Sequence, residues 1–444
     1  MARAVVFRYG GIVLQFVILL VLARHLDADD YGRYMLVLSA VFPTYFLLGF
    51  GISEAFVREA PRLIRDGDLR PVRTLVGATL MVALGTAAVL AVAGALAVWL
   101  LPLDPTTSDV VMFMVAFFVA NGLMFNGAQL LLGSGSETLG AFFFYPAINL
   151  SLVVSALPYV LYSAHPTFSG IALATSVASL IVGVVAVGLV VVHVRPRRPR
   201  RGTSRQLIAV GARLSAARGM YAAGLWLPTF IAGVVLAPAQ AGYLGTAGRL
   251  AVAVGAVTAA VRFAIRPAIV RAYERQDWPA IAAVCGRVAT VTLAMVTVAF
   301  AVTFFFGRSL VSMTFGTGFA SAAPLLTVLL IGVAIEAFAG PVDEVLKMTG
   351  QENSVLIIFA VTLPIFAAAL VAAAPHGVMV MAWVQVGYTL AVFGAMIVTL
   401  GRKRRVWLHP VAPPILKGNL RQRQSPEWRW PWHARRKQPS NAKT

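Results

Sequence analysis

The feature that most constrains this chain is a stretch such as 75–101, LVGATLMVALGTAAVLAVAGALAVWLL, which carries no charged residue along its whole length. A bilayer core takes about 20 helical residues, and a helix satisfies its own peptide groups where no water can. Comparable runs recur almost to the end of the chain. Only 12% of the 444 residues are charged and 59% are hydrophobic, whereas a soluble domain carries roughly 25% charged residues. There are too few charges to cover a water-facing surface. The chain reads as an all-α integral membrane protein, one helical bundle in lipid rather than a string of soluble domains.

The same composition removes several function classes. Cys285 is the only cysteine, so there is no disulfide framework and no cysteine metal site. The six histidines, His25, His165, His193, His376, His409 and His433, show no ligand spacing. No Walker A sequence is present, so no ATP site is indicated and no cofactor is expected. Arg3 and Arg8 precede an apolar run, but Arg24 and His25 stand where a signal peptide needs small residues, so the run reads as a first span.

The runs predict twelve helices, at about 5–24, 32–53, 75–101, 109–132, 139–162, 170–194, 216–236, 242–265, 281–306, 325–347, 354–374 and 378–400. Between the ninth and tenth, 307–324 is glycine-rich and reads as a connection. The basic segment RPRRPRRGTSR, 195–205, divides the helices six and six. The expected organisation is therefore a first six-helix lobe (1–194), a basic cytoplasmic linker (195–205), a second six-helix lobe (206–400) and a basic tail (401–444) that stays disordered.

Lysine and arginine sort by side, as the positive-inside rule requires. With the amino terminus in the cytoplasm, Arg58, Arg62, Arg65, Arg70 and Arg73, the linker arginines, and Arg266, Arg271 and Arg275 all fall on the cytoplasmic side. Only Arg24, Arg33 and Arg308 fall outside. Both termini are then cytoplasmic. The tail holds twelve lysines and arginines against Glu427 alone, together with Trp428, Trp430 and Trp432. This is a positive-inside anchor or a surface for anionic lipid. Nucleic acid is not an expected partner, because the charge sits where topology already requires it.

The halves echo each other. The turn VLARHLDADDYGRY (21–34) pivots on Tyr31-Gly32, and the turn near Gly242-Tyr243 repeats it about 210 residues later. Arg58 matches Arg271, 213 residues on, and Gly135 matches Gly350, 215 residues on. Copies separated by six helices keep the same orientation and are related by an axis along the membrane normal, as in parallel-repeat transporters.

These residues carry a resemblance. VLARHLDADDYGRY with GFGISEAFVRE, the turn LAPAQAGYLGTAGRL, FGTGFASAAPLLTVL before the tenth helix and LKMTGQENS after it resemble the polysaccharide flippases of the MOP exporter superfamily, over about residues 1–400. The resemblance implies two six-helix lobes, alternating access and a lipid-linked oligosaccharide as substrate. It places other polysaccharide-assembly proteins of a bacterial plasma membrane among the candidate partners.

Charges kept at membrane depth are the candidate site, since they are costly there and face a cavity or a partner. Arg24, Arg218, Arg249 and Arg262 are candidates for a pyrophosphate, which a guanidinium grips with two parallel hydrogen bonds. Structural alternatives are snorkelling and positive-inside anchoring. Arg24 has no counterpart in the second turn, which makes it a functional candidate. Asn126, with Asn121, Gln129 and Asn149, can bond sugar hydroxyls or neighbouring helices. Glu54 can pair with Arg58 four residues on. Glu336 and Asp343 are seven apart on one stripe of the expected tenth helix, with Lys347 four beyond Asp343. These three acids are candidates for ion coupling.

The leading expectation is a flippase for polyprenyl-pyrophosphate oligosaccharides, and no enzyme. The alternatives are a cation-coupled small-molecule exporter of the same fold, a membrane glycosyltransferase or polymerase, and a non-transporting scaffold. The short, nearly uncharged external loops count against the transferase.

Overall fold

The computed structural model describes residues 2–65, 69–197, 203–404, 408 and 410. Each apolar run within them is helical, as a backbone surrounded by lipid must be. In chain order the helices are α1 (Ala2–His25), α2 (Ala28–Val41), α3 (Ile52–Arg65), α4 (Leu69–Leu100), α5 (Pro105–Gly133), α6 (Glu137–Phe144), α7 (Ala147–Tyr162) and α8 (Phe168–Val194). They continue as α9 (Thr203–Val235), α10 (Pro238–Ala264), α11 (Arg266–Glu274), α12 (Trp278–Phe315), α13 (Ala322–Ala339), α14 (Val342–Met348), α15 (Glu352–Ala373) and α16 (Val378–Arg404). No strand occurs among the described residues. There, seven helices (α4, α5, α8, α12, α13, α15 and α16) are long and apolar enough to cross a membrane, and the pair α6–α7, bent by 50°, makes an eighth. The chain is thus all-helical and multi-pass. Val89 and Trp99 on α4, and Phe304 and Phe305 on α12, stay exposed, as a face in contact with lipid does.

Three expected helices are broken, each at residues that resist helix. The second, 32–53, is α2 and α3 separated by ten residues, because Gly49, Phe50 and Gly51 adopt φ of 84°, 52° and 68° in succession. A right-handed helix cannot continue through left-handed residues. The fifth bends at Tyr145-Pro146, where proline removes a donor. The eighth ends where expected, at Ala264, and Pro267 opens a separate short α11 over the basic stretch that follows. The tenth stops at Gly340, whose φ is 63°, before Pro341 and α14. The opposite correction falls on 307–324: α12 runs through Phe315 and ends only at Gly316, with φ of 97°. An apolar sequence between sparse glycines therefore stays helical until a positive φ is enforced.

The linker is shorter than expected, since α9 already begins at Thr203. Arg195 caps α8 with φ of 55°, and the Arg197 N–H donates to the Arg73 carbonyl at 3.0 Å. Residues 198–202 lie outside the described residues. So does the basic tail beyond Arg404, apart from 408 and 410.

The charged turn 24–33 is spent on helix ends, whose last peptide groups lack intrahelical partners. Asp27 caps α2, accepting from the Asp30 N–H at 2.8 Å. Asp29 accepts from the Ala239 N–H of α10 at 3.1 Å. Asp30 accepts from the Phe168 N–H of α8 at 2.8 Å and pairs with Arg33 at 2.5 Å. Arg24 does the converse job at the other pole. Its Nε donates to the Thr314 carbonyl at 2.8 Å and its guanidinium also bonds the Met313 carbonyl, both in the last turn of α12. Acids thus sit at helix N-termini and the arginine at a C-terminus, as the helix dipole favours.

At the same end α2 crosses α10 at minimal distance. A Cβ on Gly32 would lie 1.8 Å from the Pro238 carbonyl oxygen, and one on Gly242 would lie 3.3 Å from that of Ala28. The contact is reciprocal, because Ala28 and Gly32 stand 210 residues before Pro238 and Gly242. Tyr31 and Tyr243, one from each turn, both pack edge-on against Phe319.

Candidate functional site

One face of α10 is built from small residues at helical spacing: Gly248, Ala251, Val252, Gly255, Ala256 and Ala259, ending on Arg262. Small side chains leave room, and they form one wall of a cavity of about 560 Å³. The opposite walls come from Leu329, Gly332, Val333 and Glu336 of α13 and from Gln385, Val386 and Thr389 of α16. Tyr221 and Leu225 of α9, Tyr9 and Ile12 of α1, and Tyr145 at the α6–α7 bend complete it. The volume is that of a pocket for a drug-sized molecule or a head group. The α10 wall spans about 21 Å at the helical rise of 1.5 Å per residue. Among the described residues, Arg262 and Glu336 are the charged ones of its lining.

Those two are paired. The Arg262 guanidinium donates to Glu336 Oε1, and its other amino group lies 3.9 Å from Asp343 Oδ1. Lys347 reaches Asp343 at 2.9 Å and Glu344 at 3.9 Å, and Arg266 reaches Glu344 at 2.6 Å. Three cations and three acids alternate along one chain of contacts at this end of α10, α11, α13 and α14. Unpaired ions at such depth are costly, and pairing with hydrogen bonds offsets most of that cost.

The structure therefore brings together Arg262, Glu336 and Asp343, though by a different route than expected. Glu336 and Asp343 do not share a stripe of one helix, because Gly340-Pro341 separates α13 from α14. Arg262 lies between them and restores the proximity. The Lys347–Asp343 pair forms at its expected spacing.

The other candidates sit elsewhere. Arg249 is buried in α10 next to Gly248, with its guanidinium 3.5 Å from the centre of the Trp226 ring. Phe42 stacks on that ring at 5.1 Å, so cation–π contact supports the arginine where no carboxylate among the described residues does. Arg24 caps α12, outside the cavity. Its change to alanine is expected to lower stability by about 1 kcal/mol, read as a shift in thermal midpoint. A loss several times larger would mean that the turn depends on it for folding.

Asn126 is buried and bridges the break after α2, its Nδ2 donating to the Leu48 carbonyl at 2.7 Å and to that of Gly122 at 2.8 Å. Asn149 likewise bonds the Gly11 carbonyl at 3.0 Å, and Asn121 that of Phe117 at 2.7 Å. These amides join helices or close a turn, and none of them lines the cavity. Glu54, in the first turn of α3, accepts from Ser215 Oγ of α9 at 3.4 Å. The side chains of Arg218 and Arg58 lie outside the described residues, and Arg218 stands on α9 three residues before Tyr221.

Sequence reasoning missed the tyrosines of the lining and the Arg266–Glu344 pair. The run of glycine and alanine at every third or fourth position from 248 to 259 was a readable sign of a thin wall. The tyrosines come from three separate elements, and no local pattern unites them.

This arrangement belongs to a fold already known. Solved structures of MOP-superfamily transporters share it over nearly their whole length. An inward-facing multidrug resistance MATE family transporter matches with a TM-score of 0.69 at 13% identity, over 88% of this chain and 94% of that one. The lipid II flippase MurJ in an inward closed conformation matches with a TM-score of 0.65 at 8% identity, over 90% and 87% of the two chains. An outward-facing MATE family transporter matches with a TM-score of 0.58 at 14% identity, over 91% and 94%. No protein-family model matches the chain, and no curated protein does so either.

Proposed function

We propose that this chain moves a polyprenyl-pyrophosphate-linked oligosaccharide from the cytoplasmic to the outer leaflet of a bacterial plasma membrane. It does so by alternating access between two six-helix lobes of twelve spans. The observation that carries the reading is an arginine, Arg262, at the end of an apolar, head-group-sized cavity in a MOP-type fold. A guanidinium there suits a pyrophosphate, while the lipid chain remains in the bilayer. The 210-residue reciprocity of the α2–α10 contact supports the parallel repeat. Arg218 and Arg249 are further candidates along the path, and Glu336, Asp343 and Glu54 for ion coupling. The basic tail is taken to hold anionic lipid.

The test is reconstitution in vesicles carrying fluorescent polyprenyl-pyrophosphate oligosaccharides, with the glycan on the opposite face read by an impermeant quencher. Translocation that Arg262→Gln abolishes is expected. Failure with every glycan tried, in protein that is folded, would reject the reading. A second reading, a cation-coupled small-molecule exporter, is favoured by Glu336 in the lining and by the MATE neighbours. Proton-driven efflux of cationic dyes without lipid translocation would establish it instead.

A further inference from the structure

We infer that Glu336 is a resident competitor for the anion site on Arg262, so that a phosphate-bearing ligand binds by displacing it and the freed carboxylate takes up a proton. The inference rests on the reading of the cavity as an anionic head-group site.

The geometry carries it. Both side chains line the same cavity, yet they are not equally open to it: the Arg262 side chain is 10% exposed and that of Glu336 25%. Of the two, the carboxylate is the more open, and it occupies a guanidinium N–H. On its other side Arg262 faces Asp343. A ligand oxygen therefore reaches the cavity-side N–H groups of Arg262 in place of Glu336 Oε1.

The two acids around Arg262 differ in what remains to them. Asp343 keeps Lys347 at 2.9 Å. Glu336 has no second cation among the described residues. The other titratable groups around the pair are Tyr221 of α9, Glu344 and Lys347 of α14, Arg266 of α11, and Tyr9 of α1 across the cavity. From α16, Gln385 and Thr389 are neutral, and α12, packed on α13, brings no charged partner to Glu336 among the described residues. Among the described residues the cluster is balanced, three cations against three acids, before a ligand arrives. An added pyrophosphate leaves negative charge in excess, which a low-dielectric site disfavours. Glu336, uncompensated and open to cavity water, is the group that takes a proton and relieves part of it. In the exchange, Oε1 releases the guanidinium, the ligand oxygen accepts the N–H in its place, and one proton passes from cavity water to the carboxylate.

The sign with pH follows. Ionised Glu336 competes and protonated Glu336 does not, so ligand affinity rises as pH falls. The experiment is calorimetric titration of the purified full-length chain in detergent with inorganic pyrophosphate, at pH 5.5 and 8, in two buffers of different ionisation enthalpy. The probe's own protonation is common to all variants, so differences between them count the proton on Glu336. Glu336→Gln is expected to bind about tenfold more tightly than wild type at pH 8, to take up one proton fewer, and to lose the excess pH dependence. Glu336→Asp, which keeps the charge, is expected to retain the proton uptake and guards against misreading a poorly folded variant. If Glu336→Gln matches wild type in affinity and proton count while Arg262→Gln abolishes binding, the competitor role is overturned and the head-group site stands. Absence of pyrophosphate binding in wild type and Glu336→Gln at both pH values would overturn both.

Discussion

Replacing Arg262 with methionine is expected to lower stability by about 1–3 kcal/mol, less than for a fully buried pair because Glu336 opens to cavity water. Glu336 loses its cation outright, and Asp343 falls back on Lys347. Adding Glu336→Leu is expected to recover most of that loss, since a pair of apolar side chains replaces the buried ions at little net cost. On the proposed function, transport should stay absent in the double variant, because the guanidinium assigned to the anion is gone. Thermal unfolding in detergent, arranged as a double-mutant cycle, reads the coupling directly. Additive losses, with no recovery in the double variant, would show that the pair contributes nothing as a pair.

Gly32→Ala is the second large effect expected, and its sign runs against local propensity. Alanine is favoured over glycine within a helix by about 1 kcal/mol, and Gly32 lies inside α2. A Cβ there would meet the Pro238 carbonyl oxygen at 1.8 Å, so α2 and α10 must separate. The strain is expected to exceed the propensity gain and to cost about 1–3 kcal/mol. It should also favour the state in which this end is open, which raises labelling of a cysteine placed at Tyr243 by an impermeant thiol reagent. Gly242→Ala is the internal control. Its Cβ meets nothing closer than 3.3 Å, and a small relaxation accommodates it. Equal behaviour of the two variants would dismiss the close contact as the cause.

How legible all this was in the sequence depends on the scale of the signal. Lipid leaves an apolar run of twenty residues one option, so the helical class and the multi-pass character could be read directly. Breaks were harder. Pro43 and Gly340-Pro341 were visible, but hydropathy continues across them, and the left-handed Phe50 has no local mark of its own. The stretch 307–315 misled in the other direction, since Gly307 is carried inside α12 and the helix ends only at Gly316. Side-chain roles depended on long-range pairing. Lys347 with Asp343 followed from spacing within one helical turn, whereas Arg262 meets Glu336 across 74 positions of sequence. Asn126 and Arg24 resembled binding residues because polar groups at depth are rare. Asn126 instead satisfies a carbonyl exposed by the broken helix, and Arg24 the carbonyls left over at the end of α12.

The charged turn has a thermodynamic consequence. Of its bonds, those of Asp27 and Asp30 stay within the first half of the chain, and those of Arg24 to α12 and Asp29 to α10 join the first half to the second. Parting the halves there breaks only the latter, and each such side-chain contact with a helix end is worth about 0.3–1 kcal/mol. A latch of that size leaves both conformations populated rather than locking one. Both bonds are made by exposed side chains, where water and added anions can replace them, so on the proposed alternating-access reading salt and anionic lipid become determinants of which way the protein faces.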